Sequence, residues 1–119
     1  MGAPAREAAL SHLRECWTRD SVYTDPITPP TNGLEGLADA IERFHDRWVG
    51  GVLLHTSQVD VHSTFGRFSW LLTLPAPVEV DGIRYGTTLE GFDFIEFTPG
   101  LERIARIVGF FGPMVPIGP

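Results

Sequence analysis

Along residues 5–17, AREAALSHLRECW, the apolar positions Ala9, Leu10, Leu13, Cys16 and Trp17 recur at spacings of three and four. That spacing predicts a short amphipathic helix ending by Asp20, with Cys16 packed on its apolar face. The run PITPPTNG carries three prolines within five residues and predicts a loop across the surface or a cavity mouth. A second helix is expected from near Gly36. In GLADAIERFHDRWVGG, Leu37, Ile41, Phe44 and Trp48 repeat at four, three and four, and Gly50-Gly51 supplies the stop. His45 falls on the flank of that stripe, beside Ile41 and Trp48.

After Gly51 the period changes to two. VLLHTSQVDVH and RFSWLLTL are rich in branched and aromatic residues and are separated by STFG; YGTTLEGFDFIEF and RIARIVGFF follow, punctuated by Asp81-Gly82 and Pro99-Gly100. This predicts about four strands in an antiparallel meander. Because both helices precede the sheet, the fold class is α+β: one domain over 1–119, a curved antiparallel sheet with the helices on its concave face, enclosing a pocket. On YGTTLEGFDFIEF, alternation puts Leu89, Gly91, Asp93, Ile95 and Phe97 on one side and Glu90 and Glu96 on the other. Trp70 shares a side with Phe68 and Leu72 and is read as core or cavity wall, and Arg67 faces away.

Composition narrows the function classes. With 43% hydrophobic residues, 13 aromatics and 20% charged, the 119-residue chain has enough apolar bulk for one core and a lined cavity. The formal charge is −6, no residue is Lys, and the nine Arg are scattered, which argues against nucleic acid or an anionic membrane as partner. One cysteine allows no internal disulfide and no thiolate metal cluster. No signal peptide and no membrane span is legible, so the expected location is cytoplasmic.

The residue that raises a question is Asp25, directly before a proline in DSVYTDPITPPTNGLEG. An Asp-Pro pair after a helix–turn segment caps a turn through local hydrogen bonds. The alternative is a working carboxylate in a buried site, where apolar surroundings such as Val22, Tyr23, Pro26 and Ile27 favour its chemistry. The histidines offer less: His55 and His62 lie seven apart on one predicted strand, hence on opposite faces, and do not meet at one metal. Asp60 and His62 share a face and could pair. No metal and no organic cofactor is expected.

A short helix, VYTDP, a Pro-rich loop, G-x-x-x-I on a helix and a meander ending in GFDFIEF and RIARIVGFF together resemble the nuclear transport factor 2-like cone fold, within it the SnoaL-like and ketosteroid isomerase-like groups. The resemblance covers nearly the whole chain. It implies that Asp25, in the D-P pair, is a proton-shuttling base. It implies that Asp93, in D-F-I-E-F, is a carboxyl that donates to a developing enolate, the role described for ketosteroid isomerase itself. Phe92, Phe94 and Ile95 are read as the apolar neighbours that keep Asp93 neutral, and Phe110 and Phe111 resemble the aromatics beneath the substrate.

In the family an N-terminal helix also carries an oxyanion-hole tyrosine more than twenty residues before the base. Counting back that far from Asp25 reaches Met1, so Tyr23, two residues before Asp25, or Tyr85 is the substitute donor. The expected ligand-binding residues are Tyr23, Phe44, His45, Trp48, Trp70, Leu89, Ile95, Ile107 and Phe111. The expected ligand is a small apolar carbonyl compound, and the expected activity is that of a cofactor-independent isomerase or cyclase working by acid–base chemistry. Hydrolysis or dehydration through carboxylate-activated water uses the same aspartates. A non-catalytic ligand-binding or assembly module of the same fold is the competing reading. The last strand is apolar on both sides, Ile104, Val108 and Phe110 against Ala105, Ile107 and Phe111, which predicts a homodimer through the outer sheet face.

Overall fold

In the computed structural model, residues 2–80, 82–112 and 116–118 are described, without the side chains of residues 3, 78, 80, 83, 85 and 116–118. Helix α1 spans Ala3–Cys16, with a proline in its first turn where the missing N–H costs nothing. It stops at Trp17, whose backbone is extended (φ −121°, ψ 153°) and whose N–H still donates to the Leu13 carbonyl. The chain then runs directly into strand β1, Trp17–Thr24. This strand was not expected from the sequence, whose helical stripe runs to Trp17 with an end expected by Asp20 and which assigns no strand before Gly51.

Helix α2 spans Gly33–Arg47, three residues earlier in its start than the apolar stripe indicates. It buries Leu37, Ala38 and Ala40. After it come β2 (Val52–His55), β3 (Asp60–His62), β4 (Phe65–Thr73), β5 (Val78–Val80), β6 (Ile83–Tyr85), β7 (Thr88–Phe97), β8 (Ile104–Phe111) and β9 (Pro116–Gly118). The segment read as one strand, VLLHTSQVDVH, is two: it breaks between His55 and Asp60, and both pieces pair with β4.

The principal sheet has six strands in the order β1-β8-β7-β4-β2, with β3 also on β4. Strands β4, β7 and β8 form the expected antiparallel meander, Phe68 opposite Asp93 and Asp93 opposite Gly109. The sheet as a whole is mixed, because β1 runs parallel to β8, Tyr23 beside Ile107 and Thr24 beside Val108. It is curved and unclosed, and the two helices pack against it. A separate small sheet joins β5, β6 and β9.

The core is Trp48, Trp70, Leu72, Leu74 and Leu89, with Ile27, Phe68 and Phe111 packed against it. Trp48, which caps the C-terminal end of α2, joins that helix to the core. Among the described residues no helix is long and apolar enough to cross a membrane. Cys16, expected to pack on the apolar face of α1, is exposed at the end of that helix.

Candidate active site

Strand β1 delivers Asp25 to the inner side of the sheet. Thr31 holds the end of the strand: its N–H donates to the Tyr23 carbonyl (2.9 Å) and its Oγ1 accepts from the Tyr23 N–H (3.0 Å), so the Pro-rich loop supplies the bonds a neighbouring strand would have made. Asp25 and Thr28 close a tight turn by exchanging backbone bonds of 3.2 Å. Within it the Asp25 Oδ1 accepts from the Ile27 N–H at 2.9 Å, the local bond an Asx turn makes. The second oxygen, Oδ2, accepts from the Tyr23 hydroxyl at 2.7 Å. One oxygen of Asp25 thus makes the turn-capping bond, and the other is held by Tyr23 in a part-buried position.

Burial, then the bond to Asp25 and the negative charges of Asp25 and Asp93, push the Tyr23 hydroxyl well above the ordinary tyrosine range. Tyr23 stays a neutral donor, and it is engaged with Asp25.

Strand alternation brings Asp93 inward from β7. Its Oδ1 accepts from the Trp70 Nε1–H on β4 at 3.1 Å. Burial is the main cause that raises the affinity of Asp93 for its proton above the ordinary carboxylate range; the Trp70 bond opposes it, the Asp25 charge adds to it, and His55 opposes it.

Gly109 on β8 is the meeting point. A Cβ there would stand 3.1 Å from the Asp93 Oδ1, 3.2 Å from the Asp25 Cβ and 3.3 Å from the Tyr23 hydroxyl oxygen. All three groups therefore converge over one residue that has no side chain. Gly91 does the same for Trp70, whose indole lies where a Cβ at Gly91 would be.

The two aspartates face a hollow of about 200 Å³ between α2 and the sheet. Of the expected ligand-binding residues, Tyr23, Phe44, Trp48, Trp70, Leu89 and Phe111 line it. Phe111 meets the Trp70 ring edge-on at 5.9 Å. Tyr23, Asp25, Thr28, Ala40 and Phe44 also border a second cavity of about 220 Å³ toward α1, and Ile107 lines that one. Two expected ligand-binding residues lie outside both. Ile95 is buried in the sheet at 5% exposure, and His45 points to solvent, its ring edge against Phe44 at 6.2 Å.

Other expectations change for reasons of strand period. Phe92 and Phe94 do not shelter Asp93: being its neighbours in sequence, they face the opposite side of β7, 43% and 45% exposed. Phe110 is outward for the same reason, 42% exposed, and only Phe111 is inward. Asp60 lies near Arg67 (3.6 Å) on the outer face, and among the described residues no bond joins it to His62. The side chain of Tyr85 lies outside the described residues.

The sequence reading passed over several residues at the hollow. His55, weighed there only as a metal ligand, lies at its mouth with its ring on Phe68 at 4.7 Å. Arg43, Arg47 and Leu53 also line it. Arg43 and Arg47 are one turn apart on the polar flank of a helix, where sequence alone cannot distinguish a cavity rim from open solvent. Among the described residues no group of three His, Cys, Asp or Glu side chains stands close enough to hold a metal ion.

No family model and no curated relative matches the chain. Solved structures do. A candidate isomerase of the SnoaL-like family from Agrobacterium tumefaciens is 27% identical with a TM-score of 0.72, over 91% of this chain and 84% of that one. A candidate ketosteroid isomerase from Kribbella flavida is 19% identical with a TM-score of 0.63, over 96% of this chain and 73% of that one. A candidate SnoaL-like polyketide cyclase from Shewanella denitrificans is 15% identical with a TM-score of 0.63, over 90% and 81%. The two helices and the curved mixed sheet are the nuclear transport factor 2-like fold of these neighbours.

Proposed function

We propose that this nuclear transport factor 2-like chain binds a small apolar carbonyl compound in the hollow and moves a proton on the carbon next to the carbonyl. Asp25 is the base. It is held on both oxygens, by Ile27 and Tyr23, so it stands ready without rearrangement. Asp93 is the partner that faces the oxygen. Holding its proton more tightly than an ordinary carboxyl, it is suited to donate to the charge that develops as the proton leaves, which is where an enzyme gains most. Trp70, Trp48, Leu89 and Phe111 supply the apolar walls.

The observation that carries this reading is the convergence at Gly109 of one carboxylate held as an acceptor and another whose proton is held more tightly than usual. A carboxyl that holds its proton more tightly than usual, beside a second carboxyl group fixed by hydrogen bonds, is an arrangement that suits acid–base chemistry. The candidate isomerase and cyclase assignments of the neighbours are consistent with it. The test is deuterium uptake by an aryl alkyl ketone such as propiophenone in D2O, followed by NMR. Uptake at the carbon beside the carbonyl, faster with protein than in buffer, is expected; uptake at the buffer rate overturns the reading.

The outer sheet face supports a second copy of the chain as partner. Phe92 and Phe110 stack there at 5.6 Å, and Phe94 meets Phe110 edge-on at 5.5 Å. An apolar aromatic cluster on the rigid face of a sheet suits a two-fold interface, because one patch then covers the other.

A further inference from the structure

Of the charged groups at the hollow, two have no counterpart in the chemistry just described. Arg43 and Arg47 both line it, one helical turn apart on α2, hence with neighbouring side chains. Neither has an ion pair or a side-chain hydrogen bond among the described residues. Arg6 is held by Glu35 and Asp39, Arg14 lies by Glu7 and Arg67 lies by Asp60; Arg19, Arg84 and Arg106 also have no ion pair among the described residues, so what sets Arg43 and Arg47 apart is that both line the hollow. Helix-end electrostatics account for Arg47 alone, since it lies in the last turn, whereas Arg43 lies a full turn earlier. The aspartates do not occupy them either: both lie deeper, engaged with Tyr23, Ile27 and Trp70.

On a chain of net charge −6 the long-range field repels an anion, so one that is to enter here needs local cations at the entrance. A pair of guanidiniums is suited to this, because each presents a planar fork of N–H donors that matches the two oxygens of a carboxylate. A neutral ketone would leave both to water.

We infer that the ligand of this hollow is an apolar carbonyl compound that also carries a carboxylate, its carbonyl end between Asp25 and Asp93 and its carboxylate at Arg43 and Arg47. The inference rests on the proposed function, and it specifies the substrate class of that same site. Trp48 and Trp70 in the wall give a direct signal, since their fluorescence changes when the hollow fills.

The experiment titrates the protein, at low ionic strength, with benzoylbutyrate and with its methyl ester, which keeps the aryl ketone and removes the charge. The acid is expected to bind about five- to tenfold more tightly than the ester, the scale for charge-assisted hydrogen bonds at a partly exposed site. The difference should shrink with added salt. In the Arg43→Gln, Arg47→Gln double variant the acid should weaken to the level of the ester, while ester binding shows that the hollow is intact. Equal binding of acid and ester to the unaltered protein overturns the inference, as does a preference that survives the double substitution, and so does the absence of binding by either compound. The same samples separate this from the chemistry: deuterium uptake without preference for the acid leaves the proton-transfer reading standing, and preference without uptake leaves only the carboxylate site.

Discussion

The indole Nε1–H of Trp70 donates to the Oδ1 of Asp93 at 3.1 Å, which makes Oδ1 the acceptor oxygen of that carboxyl. A carbonyl oxygen is the better acceptor, so in the protonated carboxyl this bond favours the hydrogen on Oδ2, from which it can donate to a ligand. Trp70 is fixed in turn, because it lies over Gly91 and against Phe111. The Asp93 side chain is thus oriented from three strands, β4, β7 and β8.

Asp93 gives the fold a pH dependence with a definite sign. Its proton is held more tightly in the folded chain than in the unfolded one. Between the ordinary carboxylate range and that raised value the folded state therefore binds more protons, and stability falls as pH rises. Below the ordinary range both states are protonated and the contribution is fully favourable. Asp93→Asn keeps an acceptor for Trp70 and removes the titration. Thermal melts from about pH 4 to about pH 8 should show a shallower decline for the variant. Identical slopes for the two proteins would contradict the assignment.

Gly109→Ala should be costly for a small change. The added methyl meets the Asp93 Oδ1, the Asp25 Cβ and the Tyr23 hydroxyl at 3.1–3.3 Å, and strand pairing on both sides of β8 gives the backbone little room to shift. The expected destabilisation is about 1–3 kcal/mol, as for overpacking elsewhere. Deuterium uptake should fall at least about tenfold in protein that remains folded, since both carboxyl groups are displaced together. Denaturant melts and NMR read the two effects separately. A variant as stable and as active as the parent would show that the convergence is looser than described.

Tyr23→Phe removes the 2.7 Å bond to Asp25 and nothing else of similar size. A stability loss of about 1 kcal/mol is expected, together with a several-fold slower deuterium uptake, because Asp25 keeps only the Ile27 N–H to hold it. If uptake vanished altogether, Tyr23 would have to touch the ligand and not merely position the base.

On the outer face, Phe92→Ser with Phe110→Ser dismantles the stacked pair. Sedimentation of the unaltered chain at micromolar concentration should give a dimer, and the double variant a monomer with its ligand binding retained. A monomeric unaltered chain would remove the second copy from the account.

How much of this was legible in the sequence varies by element. The inward side of β7 was, since Leu89, Gly91, Asp93 and Ile95 follow a strict period of two, and so was the stripe of α2 from Leu37 to Trp48. Strand β1 was not: Thr18, Arg19 and Asp20 show no alternation, and its pairing with β8 is parallel and interrupted between Trp17 and Val22. Only tertiary contact makes it a strand. At the site, Asp25, Asp93 and Tyr23 could be named from the Asp-Pro pair, the D-F-I-E-F run and their spacing. Their meeting over Gly109 could not, because nothing local marks a glycine whose space is filled by residues so distant in the chain. Grouping Phe92, Phe94 and Phe110 with the site follows from reading sequence neighbours as spatial neighbours, which a strand contradicts at every step.

The most direct measurement is deuterium uptake by bound ketone in Asp25→Asn. The variant keeps an oxygen for the Ile27 N–H and the shape of the turn, but it has no carboxylate to take a proton. If Asp25 is the base, uptake falls by about a hundredfold or more while ketone binding, read from tryptophan fluorescence, is unchanged. Uptake at the rate of the unaltered protein would show that the base is elsewhere.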